Sequence, residues 1–298
     1  MIGADWQFEL DDGVNPSILL GSGTPYHVYE FTHDKPDIRA NTTARAREDG
    51  TNRGRDWLGG TTASLELGVH VGYDPGGVLD QVSRLRGLWY GDQVRREPGK
   101  RAILRAKRPG RDPVRMYGRP GSFKVASMEN VAAGYVPVVA EFDCDDGYFY
   151  SDAEYTLSVP YVPASVGGLI GPLSGPWVAT TAGVSSGRLT VGGECPAWLG
   201  WRPRGPIVDP VIEVVGRWSA TLRGQINYDQ SVTVDPAPWQ RTARANGGGN
   251  WSGKFTADST RMSRMLVPPG ASQVLLRGID PSGTASLDVF WRSVWASY

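Results

Sequence analysis

The densest run of ionisable side chains is Asp143-Cys144-Asp145-Asp146-Gly147. A calcium loop needs oxygen ligands at alternate positions, glycine at the sixth and a distal glutamate. This spacing lacks that pattern and predicts a turn closing a strand. Glu141, Asp143, Asp145 or Asp146 could supply half of a carboxylate pair for glycoside hydrolysis, but that chemistry depends on a carboxyl separation that sequence does not set. His27, His33 and His70 stand without a carboxylate at triad or ligand spacing and read as strand residues. Asn246-Gly247-Gly248-Gly249 lacks the Lys-Ser/Thr and the following helix of a phosphate loop, so it reads as a hairpin tip. Cys144 and Cys195 form no CxxC and read as two buried or half-buried thiols. The opening Met1-Ile-Gly-Ala-Asp-Trp has neither a basic n-region nor an apolar h-region, so the expected folding compartment is a cytoplasm. No catalytic, cofactor-binding or metal-ligating residue is assigned, and no cofactor; the expectation is a protein that is not an enzyme.

Charge excludes another class of function. Lys plus Arg equals Asp plus Glu at 31 each, leaving no long-range field for nucleic acid or an anionic membrane. Arg95, Arg96, Lys100, Arg101, Arg105, Lys107, Arg108 and Arg111 form the one basic cluster. Without stacking aromatics it reads as a solvated or interface strand pair, against the alternative of a nucleic-acid conduit. Aromatics carry more information: Trp198, Trp201, Trp218, Trp239, Trp251, Trp291 and Trp295 all fall in the second half. Core burial is their default role, and stacking on sugar rings the alternative.

The elements that position these residues are mostly strands. The chain has 298 residues, 39 Gly and 22 Pro, about twice an ordinary domain of roughly 100–150 residues and rich in turns. Asp11-Asp12-Gly13 signals a tight hairpin, and Leu65, Leu67, Val69 and Val71 alternate in a strand. Arg39 to Arg55 is polar and glycine-punctuated, a long loop or projecting arm. One amphipathic helix is expected over Gly77–Tyr90, with Val78, Val82, Leu85 and Trp89 on its apolar face. Strands follow at 102–106, 114–117, 123–128 and 135–142. The proline-rich stretch from Tyr155 to Pro176 marks a linker. Beyond it, strands at 188–191, 210–222, 230–234, 254–256, 273–279 and 286–295 have the turn spacing of a sandwich. The expected organisation is a mainly β chain: residues 1–158 with one helix and an arm near 39–55, a linker at 159–176, and a β-sandwich at 177–298.

Short motifs in order carry a resemblance. Leu19-Leu20-Gly21 with Thr24-Pro25-Tyr26, the arm from Arg45 to Gly60, a Gly118-Arg119-Pro120 turn, the Phe142–Tyr150 close and the proline-rich linker resemble the distal tail (Dit) proteins of long-tailed phages. The likeness is greatest to minor tail proteins of actinobacterial siphophages. Val232-Thr233-Val234-Asp235, Leu266-Val267-Pro268-Pro269-Gly270 and Trp291-Arg292-x-x-Trp295 are similar to the same group. The resemblance implies an N-terminal β-sandwich-like belt closing into a homohexameric ring and a C-terminal galectin-like or carbohydrate-module-like sandwich outside it. Its implied partners are the tail tube protein, the tail-associated lysin or hub protein, the tape measure protein, and receptor-binding proteins or host glycans. DNA would pass through the lumen without specific binding, and the protein would sit at the distal tail tip of the virion after assembly in the host bacterial cytoplasm. The alternative is a lectin-like host-adhesion module.

Overall fold

A computed structural model describes residues 2–162, 182–280 and 282–298. Contacts divide the chain into two units, 1–153 with 296–298 and 154–295. The first contains β1 (Gln7–Asp11), β2 (Ile18–Gly21), β3 (Tyr26–His33), β4 (Ile38–Arg39), β5 (Thr42–Ala44), β6 (Thr51–Arg53), β7 (Trp57–Leu58), β8 (Thr61–His70), β9 (Ala102–Lys107), β10 (Val114–Val125), β11 (Tyr135–Cys144) and β12 (Phe149–Ser151). Its helices are α1 (Pro75–Tyr90) and the single-turn α2 (Asp92–Arg96).

One antiparallel sheet runs β2-β1-β9-β10-β11-β8-β3, with β12 beside β10. The first half of β10 pairs with β9 and β12, and its second half with β11, across a bulge between Pro120 and Phe123. Such a shared, bulged strand lets a single sheet fold over its own core. Phe8 of β1 and Phe31 of β3 meet across that core with ring centroids 5.1 Å apart. Period-2 alternation does the sorting: Ala63, Leu65, Leu67 and Val69 of β8 and Val136, Val138, Ala140 and Phe142 of β11 are buried, while Glu66 and Asp143 stay outside. The Gly118-Arg119-Pro120 segment, expected as a turn, lies inside β10, and the expected separate strand at 123–128 is the same strand beyond its bulge.

Helix α1 buries Val78, Val82, Leu85 and Trp89, the four expected residues, against β8, β10 and β11. Trp89 Nε1 donates to the Glu141 carbonyl at 2.8 Å, which fixes the helix C-terminus to β11. Gly91, at φ 60°, accepts the left-handed conformation that ends the helix, and its N–H returns to the Leu88 carbonyl.

The second unit contains β13 (Tyr155–Pro160), β14 (Ala182–Val191), β15 (Ala197–Arg204), β16 (Ile207–Val214), β17 (Trp218–Thr221), β18 (Gln225–Ile226), β19 (Val232–Asp235), β20 (Thr242–Ala245), β21 (Leu266–Val267), β22 (Gly270–Ile279), β23 (Ser286–Trp291) and β24 (Val294–Trp295). Two antiparallel sheets, β13-β23-β15-β19-β20 and β14-β22-β16-β17, face each other across Leu199, Trp201, Ile212, Val214, Val274, Leu276, Leu287 and Val289. This is a mainly β, sandwich-rich architecture of the expected class.

Several expected boundaries move. Tyr155–Pro160, read as the start of the linker, is the edge strand β13, where proline at the end of an edge costs no ladder bond; residues 163–176 lie outside the described residues. The expected strand over 210–222 is two strands around a turn that carries Gly216. Residues 252–254 form a 3₁₀ turn where a strand over 254–256 was expected. The expected run over 286–295 divides into β23 and β24.

Candidate interaction surfaces

Three of the four carboxylates that might have done chemistry are already engaged, and Asp143 is exposed near the end of β11. Asp145 pairs with Arg101, and Glu141 accepts from Ser122 Oγ. Asp146 accepts from Tyr150 Oη at 2.7 Å and from the Tyr148 N–H at 3.1 Å, so the acidic run is the turn between β11 and β12. Burial raises Asp146 above the usual carboxylate range, and the two hydrogen bonds only partly oppose it. Cys144 is buried and free, and its thiol is pushed up to about 12 by burial and by the neighbouring aspartates. Cys195 is also free and half-buried.

Histidines do not converge on a site. His27 and His70 face each other on the outer side of β3 and β8 with ring centroids 6.5 Å apart. His33 packs against Phe149 at 4.5 Å, and burial lowers its pKa against the opposing charge of Asp34. Among the described residues no group of three His, Cys, Asp or Glu could hold a metal ion, and no helix is long and apolar enough to cross a membrane.

The basic cluster dissolves into local pairs once the sheet forms. Arg96 meets Asp92 at 2.7 Å and Lys100 meets Glu97 at 2.7 Å. Arg105 bridges Asp11 and Asp152, each at 3.1 Å, with Glu9 at 3.6 Å; Lys107 lies 3.8 Å from Asp5. Arg95 donates to the Tyr90 and Pro120 carbonyls, and Arg108 stacks on Phe31 and Tyr298. These groups form a stripe shared with acids, as the solvated-strand reading expects.

Exposed apolar surface collects on the arm. Between His33 and Thr61 the chain leaves the sheet as two short ribbons, β4–β7 and β5–β6. The Thr61 hydroxyl, donating to the Asp34 carbonyl at 2.6 Å, ties its base. All residues of the four ribbon strands are exposed. Ile38, Trp57 and Leu58 are 65%, 53% and 46% exposed, and Arg55 covers the Trp57 ring at 4.4 Å. Ile38 and Leu58 are register partners and share one face of the ribbon, while Trp57, opposite Arg39, lies on the other. The segment 39–55 read as an arm was therefore too short: it omits all three. A signal was present in Trp57-Leu58, two large apolar residues stranded between a charged loop and Gly59-Gly60.

Core burial is the default reading of the second-half tryptophans, with stacking on sugar rings as the alternative. Trp201, Trp218 and Trp291 are core, and among the described residues Trp198, Trp239, Trp251 and Trp295 are half-buried. The Asn246–Gly249 tip closes as expected, with the Gly248 N–H bonded to the Ala245 carbonyl at 2.8 Å.

No protein-family model matches the sequence, and no curated protein does. Solved structures do. The chain superposes on SPP1 Dit, described as a paradigm of the hub adsorption apparatus in phages infecting Gram-positive bacteria, with a TM-score of 0.57 at 12% identity, over 96% of this chain and 98% of that one. It also superposes on the phage P2 baseplate in its calcium-activated conformation, with a TM-score of 0.53 at 11% identity over 95% and 97% of the two chains. The strontium form gives 0.53 at 11% over 96% and 98%. Over nearly its whole length, the chain has the Dit fold.

Proposed function

We propose that this chain is a structural minor tail protein at the distal tip of a long-tailed phage. In this reading copies of the first unit close into a six-membered ring, a hub between the tail tube and the tail-associated lysin or hub protein. The ring abuts the tape measure protein, leaves a lumen through which DNA passes without specific binding, and carries the second unit as an outer domain for receptor-binding proteins. It assembles in the bacterial cytoplasm and remains in the virion.

The observation that carries this reading is the fold likeness to the SPP1 hub protein over 96% of the chain. Two further features support it. The arm presents Ile38, Trp57 and Leu58 to solvent, apolar residues that a ring neighbour would cover. The strand β3 is a sheet edge, bulged between Val28 and Glu30, and heterologous contacts that close by rotation hide such edges.

Light scattering on the purified chain tests it. The expected mass is six times that of the 32.3 kDa chain, and negative-stain images should show annuli with a central hole. Ile38→Ser, Trp57→Ser and Leu58→Ser combined should return monomers of unchanged circular dichroism. A monomer that stays single when mixed with tail tube and hub proteins would refute the reading. The lectin-like alternative draws support from a cleft in the second unit.

A further inference from the structure

We propose that the outer face of the β13–β23–β15 sheet carries a binding cleft for a neutral saccharide, with Phe290 as its stacking surface. The cleft has a volume of about 340 Å³ and is lined by Glu154, Thr156, Ser158, Arg202, Asp288 and Phe290, among others. That volume is at the small end of ligand cavities, roughly 300–1,000 Å³, and suits a short saccharide.

Strand register builds the site. Thr156, Phe290 and Gly200 lie in one row across the three strands, and Ser158, Asp288 and Arg202 in the next row on the same face. The Phe290 ring lies on the Gly200 backbone: a Cβ there would fall 2.1 Å from Phe290 Cε2. One face of the half-buried ring is thus occupied by the strand and the other borders the cleft. Groups held by strands are positioned more tightly than groups on loops.

The charges select the ligand. Arg204 pairs with Asp288 at 2.7 Å and Arg292 with Glu154 at 3.3 Å, while Arg202 donates to Thr233 Oγ1 at 2.9 Å. Glu154 and Asp288 balance Arg202 and Arg204 in the lining. An ionic ligand on Arg204, Asp288, Arg292 or Glu154 would have to break an existing pair. A hydroxyl group donates and accepts at once, so vicinal hydroxyls can bridge Asp288 and the guanidinium groups without displacing either. The C–H face of a sugar ring then meets the Phe290 face, which carries the negative side of the aromatic quadrupole.

Saturation-transfer NMR on the intact chain tests this, with neutral methyl glycosides of galactose, glucose, mannose and arabinose as probes. Transfer to the ring protons of at least one glycoside is expected. Phe290→Ala and Thr156→Arg should each reduce affinity about tenfold, the value of one aromatic contact. Thr156 is exposed, so Thr156→Arg obstructs the cleft without touching the core, and it decides the case if Phe290→Ala lowers stability. Absence of transfer from every glycoside, or an affinity from titrated transfer that Thr156→Arg leaves unchanged, would overturn the proposal. Its failure is separable from that of the hub reading, because native mass reports the ring and transfer reports the cleft.

Discussion

Gly200→Ala should destabilise the second unit only while Phe290 is present. The new Cβ would sit 2.1, 2.3 and 2.7 Å from Cε2, Cζ and Cδ2 of Phe290. Carbon atoms prefer roughly 3.5–4.0 Å, so the ring must retreat by more than about 1 Å. Overpacking of this kind typically costs about 1–3 kcal/mol. Gly200 lies within β15 and outside the left-handed region, so alanine's smaller conformational freedom returns roughly 0.5–1 kcal/mol. The net loss is then about 1–2 kcal/mol. With a urea slope of about 2 kcal/mol/M, the unfolding midpoint falls by roughly 0.5–1 M. In a Phe290→Ala background the same Cβ meets open space, and Gly200→Ala becomes neutral or stabilising. A double-mutant cycle followed by circular dichroism should therefore give a coupling of about 2 kcal/mol, well above the roughly 0.3–0.5 kcal/mol scatter of independent sites. A cost that is equal in both backgrounds would refute the claim that the ring occupies the space a side chain at position 200 would need.

Arg105→Met should cost about 2 kcal/mol at pH 7, because it removes the guanidinium shared by Glu9 and Asp11, while Asp152 keeps Arg115 at 2.6 Å. Burial lowers the Arg105 pKa, but the Asp11 hydrogen bond and the surrounding carboxylates more than reverse this; urea melts of the variant against the parent measure the loss. His33 has a lowered pKa, chiefly from burial, with Asp34 opposing and Arg108 adding to it. The unfolded chain thus binds the proton first, and the histidine's contribution is complete above about pH 6.5 and lost as pH falls through the depressed folded value. Thermal melts of His33→Gln should be flatter across that window than those of the parent. At pH 8 a Cys144 thiol pushed up to about 12 is almost wholly protonated as well as buried, so Ellman's reagent should titrate Cys195 in the native chain and reach Cys144 only on unfolding; prompt labelling of both thiols would contradict the burial of Cys144.

Legibility followed how local the physics was. Val78, Val82, Leu85 and Trp89 announce α1 because a 3.6-residue period is complete within one segment. Asp12 marks the β1–β2 turn for a similar reason: its carboxylate accepts the Val14 and Asn15 N–H groups, within three residues. The strand β15, central to its sheet, was invisible. None of the expected strands covers it, and its partners are distant in sequence: Phe290 fills the space above Gly200, and β23 and β19 flank the strand. The saccharide cleft was hidden in the same way. Its residues come from 154–158, 202–204 and 288–290, and their adjacency exists only in the cross-strand register. Tryptophan counting pointed elsewhere because large indoles are worth more in the core, where Trp201 is fully buried.

The basic cluster follows the same logic in reverse. Along the chain Arg101, Arg105 and Lys107 look like one patch, since they are read without their neighbours. In β9 the alternation turns Arg105 and Lys107 to the side away from buried Leu104 and Ala106, and the antiparallel register sets Glu9 opposite Arg105. Glu9 and Asp11 of β1, Asp152 just after β12 and Asp5 just before β1 lie within reach of Arg105 and Lys107, so folding offsets a sequence-local excess of positive charge with acids. Each free cation on a surface that DNA must traverse would add a counterion-release contact and hold the polymer in place. On the hub reading proposed above, the commitment of Arg101, Arg105 and Lys107 to neighbouring carboxylates would weaken that grip. The exposed apolar residues of the arm and the cleft on the β13–β23–β15 sheet are therefore the surfaces on which the two proposals are to be tested.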